Sequence, residues 1–123
     1  MKCMNREVVF YRSSNGRSPI EAFLDSLPAS DARKAAWVLR LIEDLPTVPK
    51  QYFQKMKGTD DLWEVRVTSS GNAIRFFGFW DGDRLVVLSH AIQKKSQKTP
   101  RQAIQVAEQR KRDYFKRKEG HHE

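Results

Sequence analysis

The sequence predicts one α+β domain, with a small, mostly antiparallel four-stranded sheet and helices packed on one face of it. Three observations carry this prediction: segments that alternate apolar and polar residues, helical stripes bounded by capping residues and prolines, and a length of 123 residues, which suits one domain. The predicted order is β-α-α-β-β-β-α. We assign residues 1–118 to the domain and residues 119–123 to a frayed C-terminal tail.

A strand and a capped helix open the chain. Residues 7–12 are rich in β-branched and aromatic side chains and predict the first strand, which a Ser-Ser-Asn-Gly turn follows. Ser18 then caps a helix, because Pro19 suits the first helical position and Glu21 completes a capping box. Apolar residues at helical spacing give this helix one apolar face, and Pro28 ends it.

A second helix is predicted from about Ser30 to Leu45. Apolar residues at helical spacing form its stripe, and Pro46 stops it. Residues 47–58 are interpreted as a connector, in which Tyr52 and Phe53 serve packing rather than a site.

Three strands and a basic helix complete the predicted domain. The strands cover residues 62–68, 73–80 and 84–92. Turn sequences separate them, Ser-Ser-Gly-Asn in the first hairpin and Asp81-Gly82 in the second. The Leu-Val-Val-Leu run of the last strand predicts burial on both faces, hence a central position. Thr99 begins the capping pattern of the final helix, which runs to about Lys118.

Composition excludes several classes of protein. No apolar run approaches the ~20 residues that a membrane span needs, and the N-terminus lacks the apolar core of a secretion signal. Cys3 is the only cysteine, so an internal disulfide and a Cys-x-x-Cys zinc site are excluded. These features indicate a reduced, cytoplasmic setting, and we predict no metal and no cofactor.

Positive charge is concentrated in the last third of the chain. The protein carries 23 Lys and Arg against 15 Asp and Glu, a net charge of +8. Residues 1–83 hold 12 basic and 11 acidic groups, whereas residues 84–118 hold 11 basic groups against 2 acidic ones. This asymmetry favours a polyanion or an acidic protein as the partner.

Two arginines are predicted to face each other across the first hairpin. With Ser70 and Gly71 at its tip, strand pleating places Arg66 directly opposite Arg75 on one face of the sheet. Like charges in that position destabilise a sheet. Either Glu64, on the same face, bridges both guanidinium groups, or an anion belongs between them.

The second hairpin is predicted to extend this face towards a loop that contains three lysines. With Asp81-Gly82 at the tip, the expected pairs are Arg75 with Leu88 and Phe77 with Val86, with His90 and Ile92 on the same side. Basic groups interleaved with aromatic rings suit RNA, because phosphates pair with Arg and Lys and bases stack on rings. The candidate site residues are Glu64, Arg66, Arg75, Phe77, His90, Lys94, Lys95, Lys98 and Arg101.

Three segments of the chain are similar to a known superfamily. They are Leu62-Trp-Glu-Val-Arg-Val67, Ile74-Arg-Phe-Phe77 and, most specifically, Ala91-Ile-Gln-Lys-Lys-Ser-Gln-Lys-Thr-Pro100. The likeness continues through Ala107 into the final helix and covers most of the chain in element order. On these segments the chain resembles toxins of the RelE/ParE superfamily, most closely the HigB-type branch, which includes phage-derived proteins.

The resemblance implies a RelE-like fold and the toxin of a type II toxin–antitoxin system. It implies a ribosome-dependent mRNA endoribonuclease that a HigA-like helix-turn-helix antitoxin neutralises, and that meets operator DNA only through the antitoxin. Members of the family carry basic residues on the sheet and on the loop after it, and by position these correspond to Arg66, Arg75, Lys94 and Lys95, with Lys98 beside them. Many relatives have a tyrosine shortly after the last strand, where this chain has Arg101; its next tyrosine is Tyr114.

Cleavage of RNA by its own 2′-hydroxyl group requires stabilisation of charge on the phosphoryl oxygens. We assign this role to Arg66 and Arg75, because arginine is a planar, permanently charged phosphate donor. The general base stays open among Glu64, His90 and the two lysines Lys94 and Lys95, of which a crowded one would have a lowered pKa.

Two other classes of function remain open. One is a ParE-like toxin that inhibits DNA gyrase by binding it. The other is a non-enzymatic basic module that serves as a phage accessory factor. The lysine loop over residues 94–98 favours the ribonuclease, because ParE-like proteins lack most of the basic constellation.

Overall fold

The computed structural model describes residues 5–94 and 99–120. This part of the chain forms a small mixed α+β domain with three helices and a five-stranded sheet. The elements are β1 (Glu7–Phe10), α1 (Pro19–Ser26), α2 (Ala29–Asp44), β2 (Phe53–Lys55), β3 (Trp63–Ser69), β4 (Asn72–Asp81), β5 (Leu85–Lys94) and α3 (Arg101–Gly120). Every predicted helix and strand is present, with small shifts at the ends.

The prediction of four strands was wrong, because β2 lies in the segment interpreted as a connector. It pairs antiparallel with β3, with Phe53 opposite Val65 and Lys55 opposite Trp63. Three residues are too few to show the alternation that identifies a strand in a sequence. Phe53 is buried in the core, in agreement with the packing role predicted for it.

The sheet has the strand order β1-β5-β4-β3-β2. β1 runs parallel to β5, and the other neighbouring pairs are antiparallel, so the sheet is mostly antiparallel as predicted. β5 lies between β1 and β4, which confirms the central position indicated by its apolar run.

The helices cover both faces of the sheet, and the prediction of helices on one face was wrong. α1 and α2 cover the first face, where Ile20 and Ile42 pack with Phe76 in the main core. α3 covers the second face, where Ala103 and Ala107 pack against Phe77. The reason is that the second face is polar at Arg66 and Arg75 but apolar further along, at Phe77 and Phe79, and α3 buries that apolar part.

The first hairpin has the predicted register. Ser69 pairs with Asn72 and Arg66 pairs with Arg75. Ser70 and Gly71 form the tip with φ values of 52° and 81°, as a two-residue hairpin turn that matches the strand twist requires.

The second hairpin differs from its predicted register. Asp81 pairs with Leu85, which leaves three residues at the tip, and a bulge follows between Phe77 and Gly78. As a result the pairs are Arg75 with Ile92 and Phe77 with His90. At Gly78 an added Cβ would lie 2.3 Å from the backbone oxygen of Val87, so a side chain would disrupt the bulge.

α3 extends to Gly120, beyond the predicted start of the frayed tail, and residues 121–123 lie outside the described residues. Among the helices of residues 5–94 and 99–120, none combines the length and the apolar character that crossing a membrane requires.

Candidate active site

Three cations surround one carboxylate at the end of the second face. We call Arg66, Arg75, Lys94 and Glu64 the basic cluster. Glu64 is buried, with 7% of its surface exposed, and its two oxygens lie 3.7 Å from the Nε atoms of Arg66 and Arg75. Glu64 therefore bridges the two arginines, the first of the two resolutions that the sequence left open. Because 3.7 Å is longer than a hydrogen bond, the bridge neutralises charge without satisfying these donors.

Arg75 has a hydrogen-bond donor that no described group accepts. Only 6% of its surface is exposed, and its Nη1 atom donates to the carbonyl oxygen of Ile74 at 3.0 Å. Its Nε atom is buried and has no hydrogen-bond partner within residues 5–94 and 99–120. Burial, together with the charge of Arg66, lowers the pKa of Arg75, and Glu64 opposes this shift. A buried unpaired donor on a permanent charge is costly unless an anion meets it.

Lys94 joins the cluster from the last position of β5, opposite Ala73. Partial burial and then the charges of Arg75 and Arg66 lower the pKa of Lys94, while Glu64 raises it. A lysine with a lowered pKa exchanges a proton more readily near neutral pH. With Lys94 the cluster holds three formal positive charges against one negative charge, so it favours an anion.

Phe77 and His90 lie next to the cluster but do not form an open aromatic face. Phe77 is fully buried under Ala103 and Ala107, and its ring stacks on His90 with centroids 6.2 Å apart. No base can stack on Phe77 in this arrangement, so the RNA-facing position predicted for its ring was wrong. The sequence pattern predicted that this face of the sheet is open, but α3 covers it.

His90 interacts with α3 rather than with the arginines of the cluster. Nη1 of Arg110 lies 3.3 Å from its Nδ1 atom, which must accept because arginine carries only donors. Burial and then the charge of Arg110 lower the pKa of His90. The structure therefore gives His90 a neutral, packed role beneath α3.

The remaining candidates lie towards the start of α3. Arg101 is exposed at the first residue of the helix. Lys95 and Lys98 lie outside the described residues. Tyr114 lies far along α3, where its hydroxyl group donates to Asp81 at 2.7 Å and burial with this hydrogen bond raises its pKa to about 12. That position and pKa do not suit proton transfer at the basic cluster.

Several basic residues of α3 are bound within the protein. Lys111 donates to the carbonyl oxygen of Asp60 at 2.6 Å, and Arg110 donates to that of Ser89 at 2.7 Å. Arg117 and Lys118 form ion pairs with Asp113 and Asp81 at 2.9 and 2.8 Å. Part of the positive charge of residues 84–118 therefore holds α3 on the sheet. The sequence pattern does not distinguish these structural cations from cations that bind a partner.

Sequence reasoning missed the role of Asp31. Its carboxylate is buried in the first turn of α2 and accepts hydrogen bonds from Ser69 Oγ at 2.7 Å and Asn72 Nδ2 at 3.1 Å. These two residues close the hairpin that carries Arg66 and Arg75. Asp31 therefore anchors that hairpin to α2. The sequence signals only an acidic residue near a helix N-terminus, because its partners are 38 and 41 residues away.

The fold and the basic cluster together define a small basic α+β protein with a candidate anion site at the end of its sheet. Residues 22–112 match the family described as phage-derived protein Gp49-like (DUF891), and the chain belongs to this family of RelE/HigB-like toxins of toxin–antitoxin systems. Comparison with curated proteins finds no match. In the described ranges, no group of three or more His, Cys, Asp or Glu side chains is placed to hold a metal ion.

Proposed function

We propose that this protein is the toxin of a type II toxin–antitoxin system, and that it inhibits translation by cleaving mRNA on the ribosome, in the manner of HigB-type toxins. The observation that carries the proposal is the buried Arg75, whose Nε donor is unpaired beside Arg66 and Lys94. Membership of the Gp49-like family supports the toxin part of the proposal.

The proposed reaction is attack of a ribose 2′-oxygen on the adjacent phosphorus. The bond from phosphorus to the 5′-oxygen breaks, the 2′-hydroxyl proton passes to a base, and the 5′-oxygen takes up a proton. Products are a 2′,3′-cyclic phosphate and a 5′-hydroxyl end, and the reaction uses no oxidant or reductant.

The basic cluster has groups that can stabilise the developing charge and one group that can transfer a proton. Arg75 and Arg66 would donate to the phosphoryl oxygens, where negative charge grows in the transition state. Their charges remain fixed throughout, because arginine does not lose its proton in proteins. Lys94 is the described candidate for proton transfer, because burial and two neighbouring arginines lower its pKa. Glu64 would hold both arginines in position.

The roles of Lys95 and Lys98 in binding the RNA backbone remain predictions from the sequence. Arg101 is exposed at the start of α3 and is proposed to contact the same backbone. The proposed partners are mRNA, the ribosome and a HigA-like antitoxin, through which alone operator DNA is bound.

The test is expression without the antitoxin, followed by mapping of transcript 5′ ends. Growth should stop, translated mRNAs should acquire new 5′-hydroxyl ends, and gyrase should supercoil DNA normally. Arg112→Gln is the matched control. Arg112 is exposed on α3, so this variant removes the same charge at a position away from the basic cluster. Unchanged transcript ends together with trapped gyrase–DNA complexes would instead support a ParE-like toxin.

A further inference from the structure

Trp37 is exposed on the outer side of α2. It has 47% of its surface exposed, the one large hydrophobic residue so exposed in the described part of the chain. Its ring is held in place, because Lys34 Nζ lies 5.0 Å over it and the Tyr52 ring meets it edge-on at 5.9 Å. An exposed tryptophan with a fixed orientation loses little entropy on binding, and tryptophan is enriched among residues that dominate protein interfaces.

An apolar hollow of about 230 Å³ lies between α2 and the edge strand β1, and Ala36, the residue before Trp37 in the chain, is one of its walls. Its walls are Val8, Phe10, Leu24, Ala36, Leu39, Arg40 and Glu43. Arg40 follows Trp37 by three residues and therefore lies on the same side of the helix. We call Arg33, Trp37, Arg40 and this hollow the α2 surface.

The charge of the α2 surface is positive. Arg33 and Arg40 are exposed, and no ion pair joins either of them to another described residue. The carboxylate of Glu43 accepts the outward amide of Val8 at 3.0 Å and adds one formal negative charge, so the α2 surface carries a net formal charge of +1. Acidic side chains on a partner would therefore find cations on both sides of Trp37.

Two other occupants fit less well. A second copy of the chain would bring the same cations against this surface, and each copy carries a net charge of +8. RNA would match the arginines, but it has no aliphatic group to fill a hollow walled mainly by hydrocarbon side chains. An amphipathic helix that carries acidic and bulky apolar side chains satisfies both the hollow and the charge.

We propose that the α2 surface binds an acidic amphipathic helix of a protein partner, and that this partner is the antitoxin; the identity of the partner rests on the proposed function. α2 packs on the first face of the sheet, whereas the basic cluster lies on the second face. An antitoxin docked on the α2 surface therefore leaves Arg75 uncovered.

The test is the affinity of the purified chain for the proposed HigA-like antitoxin, measured by calorimetry. Arg40→Glu and Trp37→Ala should each weaken binding at least tenfold, because each removes an anchor of the α2 surface. Arg112→Glu, the same charge reversal on α3, should change the affinity by less than twofold. Arg75→Gln should also bind within twofold of the native chain, since the basic cluster stays outside the contact.

Each result bears on a different statement. If Arg40→Glu and Trp37→Ala bind as tightly as the native chain, the proposal that the α2 surface binds the antitoxin is wrong. The proposed function is then unaffected. If only Arg75→Gln loses binding, the antitoxin covers the basic cluster. The α2 surface is then also ruled out as the binding site. If Arg40→Glu binds the antitoxin normally but no longer sediments with ribosomes, the surface binds RNA instead. If Arg40→Glu and Trp37→Ala weaken binding but the native chain cuts no transcripts, the α2 surface is supported and the proposed ribonuclease activity is refuted.

Discussion

The two ends of the second face of the sheet are both rich in basic residues, but they differ in whether those residues have partners within the protein. At the end covered by the last turns of α3, Lys118 lies 2.8 Å from Asp81 and Arg117 lies 2.9 Å from Asp113. Hydrogen bonds from Lys118 and then Tyr114 lower the pKa of Asp81, so the charged pair is favoured there.

At the other end, the basic cluster holds Arg66, Arg75 and Lys94 around the single carboxylate of Glu64, at 3.7 Å from both arginines. Arg75 keeps a buried donor without a described partner. The number of cations is similar at the two ends, but only one end satisfies them. A site is therefore indicated by unsatisfied charge, not by total charge, and the predictions below test this difference.

The largest expected effect is that of Arg75→Gln on activity. If Arg75 donates to the transition state, cleavage should fall by on the order of 10²–10³. The free energy of unfolding should change by less than about 0.5 kcal/mol, because the variant also removes a like charge opposite Arg66 and an unpaired donor. Transcript cleavage and thermal melting measure the two quantities. A lowered melting temperature with full toxicity would show that Arg75 is a structural residue of the Glu64 bridge.

Asp31→Ala should have the next largest effect, because it releases the hairpin of the cluster from α2. Loss of a buried carboxylate with two hydrogen bonds should lower the free energy of unfolding by about 2 kcal/mol. Cleavage per folded molecule should also fall about tenfold, since the two arginines lose their fixed position. Denaturant unfolding and transcript cleavage measure these effects. Unchanged cleavage by the folded fraction would mean that the sheet alone positions the arginines.

A pH experiment examines the paired end. Folding raises the pKa of Tyr114 to about 12 from its usual 10.0, through burial and the hydrogen bond to Asp81. A raised pKa in the folded state means that the stabilisation is complete below pH 10 and is lost as the pH rises towards 12. Tyr114→Phe should remove this part of the decline. The measurement is the difference between the unfolding free energies of the native chain and the variant across that range, and a constant difference would contradict it.

The smallest effect is expected from Lys118→Gln, the counterpart of Arg75→Gln at the paired end. Breaking a partly exposed ion pair should lower the free energy of unfolding by about 0.5 kcal/mol. Transcript cleavage should remain at the native level, because Lys118 lies at the far end of α3. A large loss of cleavage in this variant would remove the distinction between the two ends.

The sequence by itself determined the features that depend on neighbours along the chain. The predicted N-cap of α1 is confirmed, since the Ser18 hydroxyl accepts the Glu21 amide at 3.2 Å. The first hairpin is also confirmed, because a two-residue turn with Gly71 allows one register and so places Arg66 opposite Arg75. The resemblance to RelE/HigB-like toxins also followed from short continuous segments.

Only the tertiary structure decided which charges are satisfied. The bulge between Phe77 and Gly78 sets which residues of β5 face Arg75. The turn sequence does not predict a bulge that lies that far from the tip of the hairpin. The position of α3 on the second face buries Phe77 and engages His90 through Arg110. These outcomes depend on contacts between residues distant in sequence, where burial outweighs local preference. The pattern of basic residues therefore identified a charged protein, and packing decided where a buried cation keeps a hydrogen-bond donor without a partner.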